Sequence, residues 1–305
     1  MSSLIDALAS LPVQALGTVV HLGAGRGETL AAYAALRPRR LVLVEGDAEA
    51  AAELRTGARA IAGAGVVEAV VMPSAQTASW QRHSLTSLDG PIAVTGLARY
   101  YPRLRRLGAL PVQGVALDDL LGRILGTDGD AAVPALLVID LPGQEAALLD
   151  ALPPERLHAF DWLLLRGCSE PLADGVPVLA EALARLPDHV PAGPPSGAGF
   201  DPLWPVALLR LDRRSVELRR LAERLAAAER AAAASEVELA ELKTVNAAER
   251  ERHALQAAEQ QQQALQLEAE LAEMSARQRL LQEELVRAEA QTELIADLLL
   301  REVSL

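Results

Sequence analysis

T-V-V-H-L-G-A-G-R-G-E-T, the stretch from Thr18 to Thr29, decides how this chain folds. A short apolar run, Thr18 to Leu22, meets three glycines at alternate positions, Gly23, Gly25 and Gly27, and an Ala-rich segment of helical composition follows from Glu28 to Leu36. The order is strand, tight loop, helix. Glycine suits such a junction because the turn calls for backbone angles closed to other residues, and because no side chain then stands between backbone and ligand. The functional reading is a nucleotide-type cofactor over the carboxyl end of the first strand. An ordinary Gly-rich turn is the alternative, since isolated glycine clusters match by chance.

Roughly twenty residues further on, a distance that suits a first βαβ unit, Leu41-Val42-Leu43-Val44 forms a buried-type strand ending in Glu45, where an acid can accept from ribose hydroxyls. The glycines run G-x-G-x-G, whereas the dinucleotide fingerprint is G-x-G-x-x-G, so the third glycine comes one position early for NAD. S-adenosylmethionine becomes the favoured cofactor. With these residues in view, V-V-H-L-G-A-G-R-G together with L-V-L-V-E-G-D resembles the first two motifs of class I methyltransferases.

The 305 residues suffice for one sizeable core or two smaller domains, and with 50% hydrophobic but only 3% aromatic residues that core must rest on Leu, Val and Ala. A net charge of -12 and the lack of a basic stripe argue against nucleic acid, because phosphate binding needs clustered Lys and Arg. Cys168 is the sole cysteine, which excludes an intrachain disulfide and a cysteine-rich metal site and suits a reducing cytoplasm. Met1 to Asp6 carries an acid and no basic flank, unlike a signal peptide, and no apolar run approaches the roughly eighteen residues of a membrane span. No metal site is expected.

Outward from the glycine loop, Ser3 to Leu11 reads as a short helix stopped before Pro12, Asp47 to Ala62 as a crossover helix, and Val66 to Met72 as a third strand closed by Pro73. This β-α-β-α-β order implies a parallel sheet. Ser74 to Gly90 is polar, contains Trp80, Arg82 and His83, and has the length of a functional loop or irregular strands over the cofactor site. Arg99 to Arg106 holds Tyr100, Tyr101 and four arginines. It suits an anionic substrate group, or else a solvated helix face with aromatic stems over the core.

Val112 to Ala116 is another short strand, and Leu117 to Leu121 opens a helix with acids in its first turn. Gly126 to Pro134 is a loop. A-L-L-V-I-D-L-P-G-Q-E, from Ala135 to Glu145, delivers Asp140 at the carboxyl end of an apolar strand and turns into a helix ending near Leu152. Ligands of open α/β sheets lie outside the carboxyl ends of strands, so Asp140 and Glu45 should face one crevice. Trp162 to Arg166 gives a further strand, Leu179 to Leu186 a helix, Pro191 to Gly199 a loop, and Trp204 to Leu211 a last strand read as the antiparallel edge.

V-A-L-D-D-L-L, then L-L-V-I-D-L-P-G-Q-E-A-A-L-L, then W-L-L-L-R resembles the FkbM-type methyltransferases over roughly Val19 to Leu211, at the level of motif order. The resemblance implies a class I Rossmann-like domain that moves a methyl group from S-adenosylmethionine to hydroxyls of glycans or secondary metabolites. It places His21 where the pattern carries an acid near the methionine ammonium, Val138 where it carries lysine, and Leu141-Pro142 where it carries V-E. Asp140, Gly143 and Glu145 remain.

From Asp212 onward glycine and proline vanish. Leu218, Leu221, Leu225, Ala228, Ala232, Leu239 and Leu242 keep a spacing of three and four. A second seam, phased differently, runs through Leu267, Leu271, Met274, Leu281, Leu285, Ile295 and Leu299. Asn246, His253 and the Gln-rich run Gln260 to Gln263 interrupt the stripe, which suggests a break, stutter or hairpin. This tail holds 13 basic and 19 acidic residues, a net of -6, leaving -6 for the rest, so charge is spread evenly.

The expectations are an α/β, Rossmann-like class I methyltransferase sheet over 1–211 and a long α-helical coiled coil over 212–305. The leading function is a cytoplasmic S-adenosylmethionine-dependent methyltransferase acting on a glycan or small-molecule hydroxyl, oligomerised by its tail. His21, Gly23, Gly25, Gly27 and Glu45 would hold the cofactor, and Asp140 would serve as base or orienting group. Two rivals stay open: a catalytically degenerate methyltransferase-like binding head on a coiled-coil adaptor, and a dinucleotide oxidoreductase disfavoured by the glycine spacing.

Overall fold

Strands that are buried on both faces must be apolar along their whole length, and four such runs form the centre of the main sheet. They are β1 (Thr18–Leu22), β2 (Arg40–Glu45), β7 (Leu136–Ile139) and β8 (Trp162–Arg166). In the computed structural model, which describes residues 2–12, 16–126, 133–173, 175–192 and 201–302, seven strands line up as β3-β2-β1-β7-β8-β10-β9. β3 is Ala64–Glu68, β9 His189–Pro191 and β10 Val206–Leu211. Pairing is parallel from β3 through β8, with Val20 opposite Val42 on one side and Leu137 on the other, whereas β10 runs antiparallel to both neighbours. Most of the loops expected at Gly126 to Pro134 and Pro191 to Gly199 lie outside the described residues.

Helices cover both faces. Leu4 and Leu8 of α1 (Ser2–Ala9), Tyr33 of α2 (Leu30–Leu36) and Leu54 of α3 (Ala48–Ala58) pack with Val19, Leu43 and Val138 in one apolar layer. The opposite layer sets Leu117, Leu121 and Ile124 of α4 (Leu117–Leu125) and Leu148 of α5 (Glu145–Asp150) against Val20, Leu22 and Ile139. Leu157 of α6 (Pro154–Leu157) and Ala182 of α7 (Leu179–Leu183) belong to it too. Asp47 caps α3, its side chain accepting from Ala50 N at 2.8 Å.

Four sequence expectations change. The run Val66 to Met72 is not one strand: it divides at Ala69, whose N–H makes the last rung of the β2–β3 ladder to Glu45 O at 2.9 Å, and beyond it β4 (Val70–Met72) joins a second sheet. The polar stretch after it is β5 (Thr77–His83). The short strand expected at Val112 is the end of an 11-residue β6 (Arg106–Ala116), in a three-stranded sheet β4-β6-β5. The arginine segment is accordingly not a helix face: a 3-10 turn ends at Arg99 and β6 begins at Arg106. The last strand, β10, is antiparallel as expected but is not the edge, because β9 pairs outside it.

The tail carries no hairpin among the described residues. It is a single helix, α8 (Arg213–Glu302), of 90 residues, on the order of 135 Å at about 1.5 Å per residue. The Gln-rich interruption weakens the apolar stripe without breaking the helix, since Gln is itself a good helix former. By its contacts the chain divides into two compact units, Met1–Arg219 and Arg220–Leu305. Ion pairs Arg213–Asp161 at 2.6 Å and Arg219–Asp188 at 2.5 Å hold the first turns of α8 within the first unit. In the second unit the seam leucines stand open, Leu267 at 60% and Leu271 at 62% exposure. No helix among the described residues is long and apolar enough to cross a membrane.

Candidate functional site

The strand order reverses between β1 and β7, and at such a switch point the carboxyl ends of two neighbouring strands diverge and leave a crevice. Here the glycine loop fills its floor. Gly23, Gly25 and Gly27 all have positive φ (80°, 59° and 98°), a region closed to most side chains. At Gly23 the need is absolute, because a Cβ would stand 2.2 Å from the carbonyl oxygen of Asp140. Gly23 N and Ala24 N donate to Val44 O at 2.9 and 3.1 Å, and Asp140 N donates to Leu22 O at 2.9 Å. The loop is thereby tied to the ends of β2 and β7 at once.

Glu45 and Asp140 line the two sides of one cavity of about 200 Å³, as their strand-end positions predict. Glu45 is buried; its Oε2 accepts from Gly25 N and its Oε1 from Asp47 N, both at 2.8 Å. Burial pushes its carboxyl up from the usual carboxylate range, and the N–H groups of Asp47, Gly25 and Gly46 pull the other way. Gly23 and Gly25 border the same cavity, whereas Gly27 serves the turn into α2, where a Cβ would meet Leu30 at 2.7 Å.

His21 also lines the cavity, although its side chain is only 1% exposed. Its Nδ1 lies 2.9 Å from the Tyr33 hydroxyl. Burial, reinforced by the Asp140 charge, drives the Tyr33 phenol far above its ordinary range, so the hydroxyl keeps its proton; the direction of its bond to Nδ1 follows the ring tautomer. Nε2 has no hydrogen-bond partner among the described residues and lies 3.9 Å from Asp140 Oδ2. The other Asp140 oxygen is engaged: Arg166, at the end of β8, donates to Oδ1 at 2.5 Å.

Behind this pair is Glu145. It is almost fully buried, accepts from Gly143 N at 2.8 Å through Oε2, and leaves Oε1 without a partner. Desolvation pushes its carboxyl up to about 7; the Asp140 charge adds to the rise and Arg166 opposes it.

Several residues of this site escape the sequence reading. Arg166 ends its strand as Asp140 and Glu45 end theirs, a signal that was available. Tyr33 is hidden in an Ala-rich helix. Leu4 and Ile5 of α1 border the cavity too, while Trp80, named in the polar stretch by the sequence, closes it over Gly46, where a Cβ would lie 2.9 Å from the indole. Arg82 stands at the same wall, so the polar stretch after β4 does cover the site.

The chain matches no protein-family model and no curated protein sequence. Among solved structures it is similar to a ribosomal protein L11 methylase from Lactobacillus delbrueckii subsp. bulgaricus, at 12% identity and TM-score 0.36, covering 69% of this chain and 77% of that one. It is similar to a methyltransferase FkbM from Methylobacillus flagellatus KT, at 16% identity and TM-score 0.40, covering 66% and 45%. A third is an rRNA methylase from Streptococcus thermophilus, at 11% identity and TM-score 0.32, covering 68% and 93%. The fold itself is a Rossmann-like open α/β sheet.

These likenesses correct one expectation. Proteins named for a ribosomal protein and for rRNA stand among the similar structures, so a small-molecule or glycan acceptor with nucleic acid excluded does not hold. The exclusion rested on whole-chain charge, which averages over regions of opposite sign. Thr77 to Ala116 contains five arginines and one acid, Asp89, so the even division of charge between head and tail hides a basic segment within the head.

Proposed function

We propose that this chain is an S-adenosylmethionine-dependent methyltransferase whose head, over 1–211, holds the cofactor in the cavity between Glu45 and Asp140. The observation that carries the reading is the loop: Gly23 and Gly25, both at positive φ, leave bare backbone between two strand-end carboxylates at the switch point. The groups present fit the cofactor. Each Glu45 oxygen keeps a lone pair beyond its backbone donor, enough to accept from a ribose diol. At the other end Asp140 Oδ2, 3.9 Å from the unpartnered His21 Nε2, is the carboxylate oxygen available to an ammonium.

S-adenosylmethionine supplies, when bound, a methyl group on a sulfonium sulfur. The protein's share is to align a nucleophile with that methyl and to exclude water, and such alignment can supply several kcal/mol of a barrier, roughly 7 to 11 in favourable cases. Asp140 is the candidate for orienting the acceptor or taking its proton. The motif order around Asp140 supports an FkbM-type assignment within the broader class. The leucine seams support a coiled-coil role for residues 212–305, since an apolar stripe on a lone helix calls for another helix.

The Arg166–Asp140 pair also favours a second reading, a binding head without chemistry, because it commits one carboxylate oxygen to a structural partner. Incubating the full chain with radiolabelled S-adenosylmethionine and separate RNA and protein fractions tests both. Label in one fraction, lost in Asp140→Asn, supports the enzyme. Cofactor binding with no label transferred to either fraction supports the degenerate head.

A further inference from the structure

The region between Thr77 and Ala116 is formally +4, and since the whole chain is -12, everything else carries -16. Positive charge is thus concentrated in β5, β6 and the connection between them, the segment that brings Trp80 and Arg82 to the cavity. Arg82 lines the cavity and is itself exposed. Across the hairpin, Arg106 pairs with His83, the residue after it. Arg105 is pinned to the same strand end: Ser84 N donates to Arg105 O at 2.8 Å, and Arg105 N donates to Ser84 Oγ at 3.0 Å. Arg103 lies two residues back. The guanidinium groups of Arg103, Arg105 and Arg106 are exposed and have no hydrogen-bond or ion-pair partner among the described residues. Arg99, by contrast, is engaged with Glu170 and lies 4.8 Å over the ring of Tyr100, which is 44% exposed.

We propose that Arg82, Arg103, Arg105 and Arg106 form a track for the phosphodiester backbone of a single-stranded nucleic acid, leading from the cavity outward. The proposal rests on the methyltransferase reading for its purpose, which is to bring one nucleotide of the strand to the cavity, but not for the binding itself. Charge complementarity selects a polyanion: elsewhere the protein repels one. Guanidinium groups gathered at one strand end suit successive phosphates of a chain, each contacted by a planar fork of donors. The exposed Tyr100 ring adds a surface on which a base can stack. An extended acidic peptide is the poorer occupant, because adding a strand needs a continuous edge of donors and acceptors. On its side away from β5, β6 pairs with β4 only over Gly114 to Ala116, and Pro111 interrupts the remaining edge.

The test uses the full chain, without cofactor, and a fluorescently labelled oligouridylate followed by anisotropy across a salt series. Four phosphate contacts predict a slope of log affinity against log salt of about -3, at roughly -0.7 per contact for a single strand. The exposed triple variant Arg103→Gln/Arg105→Gln/Arg106→Gln should bind on the order of ten- to a hundredfold more weakly at low salt, with a slope nearer about -1. Absence of binding by the wild type, or an unchanged slope in the triple variant, overturns the proposal. So does arginine-dependent capture by phosphatidylcholine–phosphatidylserine vesicles with no oligonucleotide binding. Oligonucleotide binding in a chain that takes up no S-adenosylmethionine would sink the enzyme reading and leave the track standing; the converse would sink the track alone.

Discussion

His21 Nε2 lies 3.9 Å from Asp140 Oδ2, with the two side chains 1% and 8% exposed. Neither group is joined to the other by a hydrogen bond, and each is fixed from behind, His21 by Tyr33 and Asp140 by Arg166. Both side chains are thereby held in place side by side at the wall of the cavity.

A Tyr33 hydroxyl that donates to His21 Nδ1 would put the ring hydrogen on Nε2. Nitrogen-15 NMR of the full chain should report the Nε2–H tautomer of His21, and Tyr33→Phe should mix the tautomers. The variant should also lose roughly 1 kcal/mol, the net worth of one hydrogen bond, seen as a lower melting temperature. An Nδ1–H tautomer in the wild type would overturn this account of the pair.

Glu45→Gln keeps size but removes one of two charged acceptors, so either Gly25 N or Asp47 N loses its partner. Charge-assisted hydrogen bonds contribute roughly 1.5 to 3 kcal/mol, and S-adenosylmethionine affinity should therefore fall about ten- to a hundredfold. Unchanged affinity by calorimetry would move the ribose contact elsewhere.

Glu145 should make stability fall with rising pH. Its folded-state value is raised from 4.5 to about 7, so the native chain binds the extra proton between these limits. Its contribution is fully present below the lower limit and is lost as pH rises through the upper one. The difference in melting temperature between wild type and Glu145→Gln should therefore move against the wild type from pH 5 to pH 8. A constant difference would show that Glu145 does not titrate there.

His189 acts at the acid end. It is buried beside His158, and its value is lowered from 6.5 to about 4, chiefly by desolvation. Stability from its neutral form is present above the upper value and is lost as pH falls toward the lower one. His189→Gln should flatten the acid limb of the stability curve; a limb of unchanged steepness would assign the loss to other groups.

The first βαβ unit could be read because strands buried on both faces are unbroken apolar runs, and strand ends place Glu45 and Asp140 without further information. What could not be read depends on pairing at long range. Leu107 and Leu110 are exposed in β6 and carry no alternation to mark a strand. The ladder from Thr77–Gln113 to His83–Arg106 is closed only by the fold. The split at Ala69 is invisible in an apolar run because what separates β4 from β3 is its pairing with β6, more than forty residues away. β9 is three residues long, too short to displace β10 from the edge in any pattern. At the site, the clamp of Arg166 on Asp140 joins residues 26 apart on neighbouring parallel strands, and only their shared strand-end position hints at it.

The central claim is that the glycine loop and its two flanking acids hold S-adenosylmethionine. Isothermal titration of the full chain with S-adenosylmethionine tests it most directly. The account predicts saturable one-site binding that is weakened by Glu45→Gln and accompanied by a rise in melting temperature, since a ligand that binds only the native state stabilises it. No heat and no rise in melting temperature at millimolar ligand would contradict it.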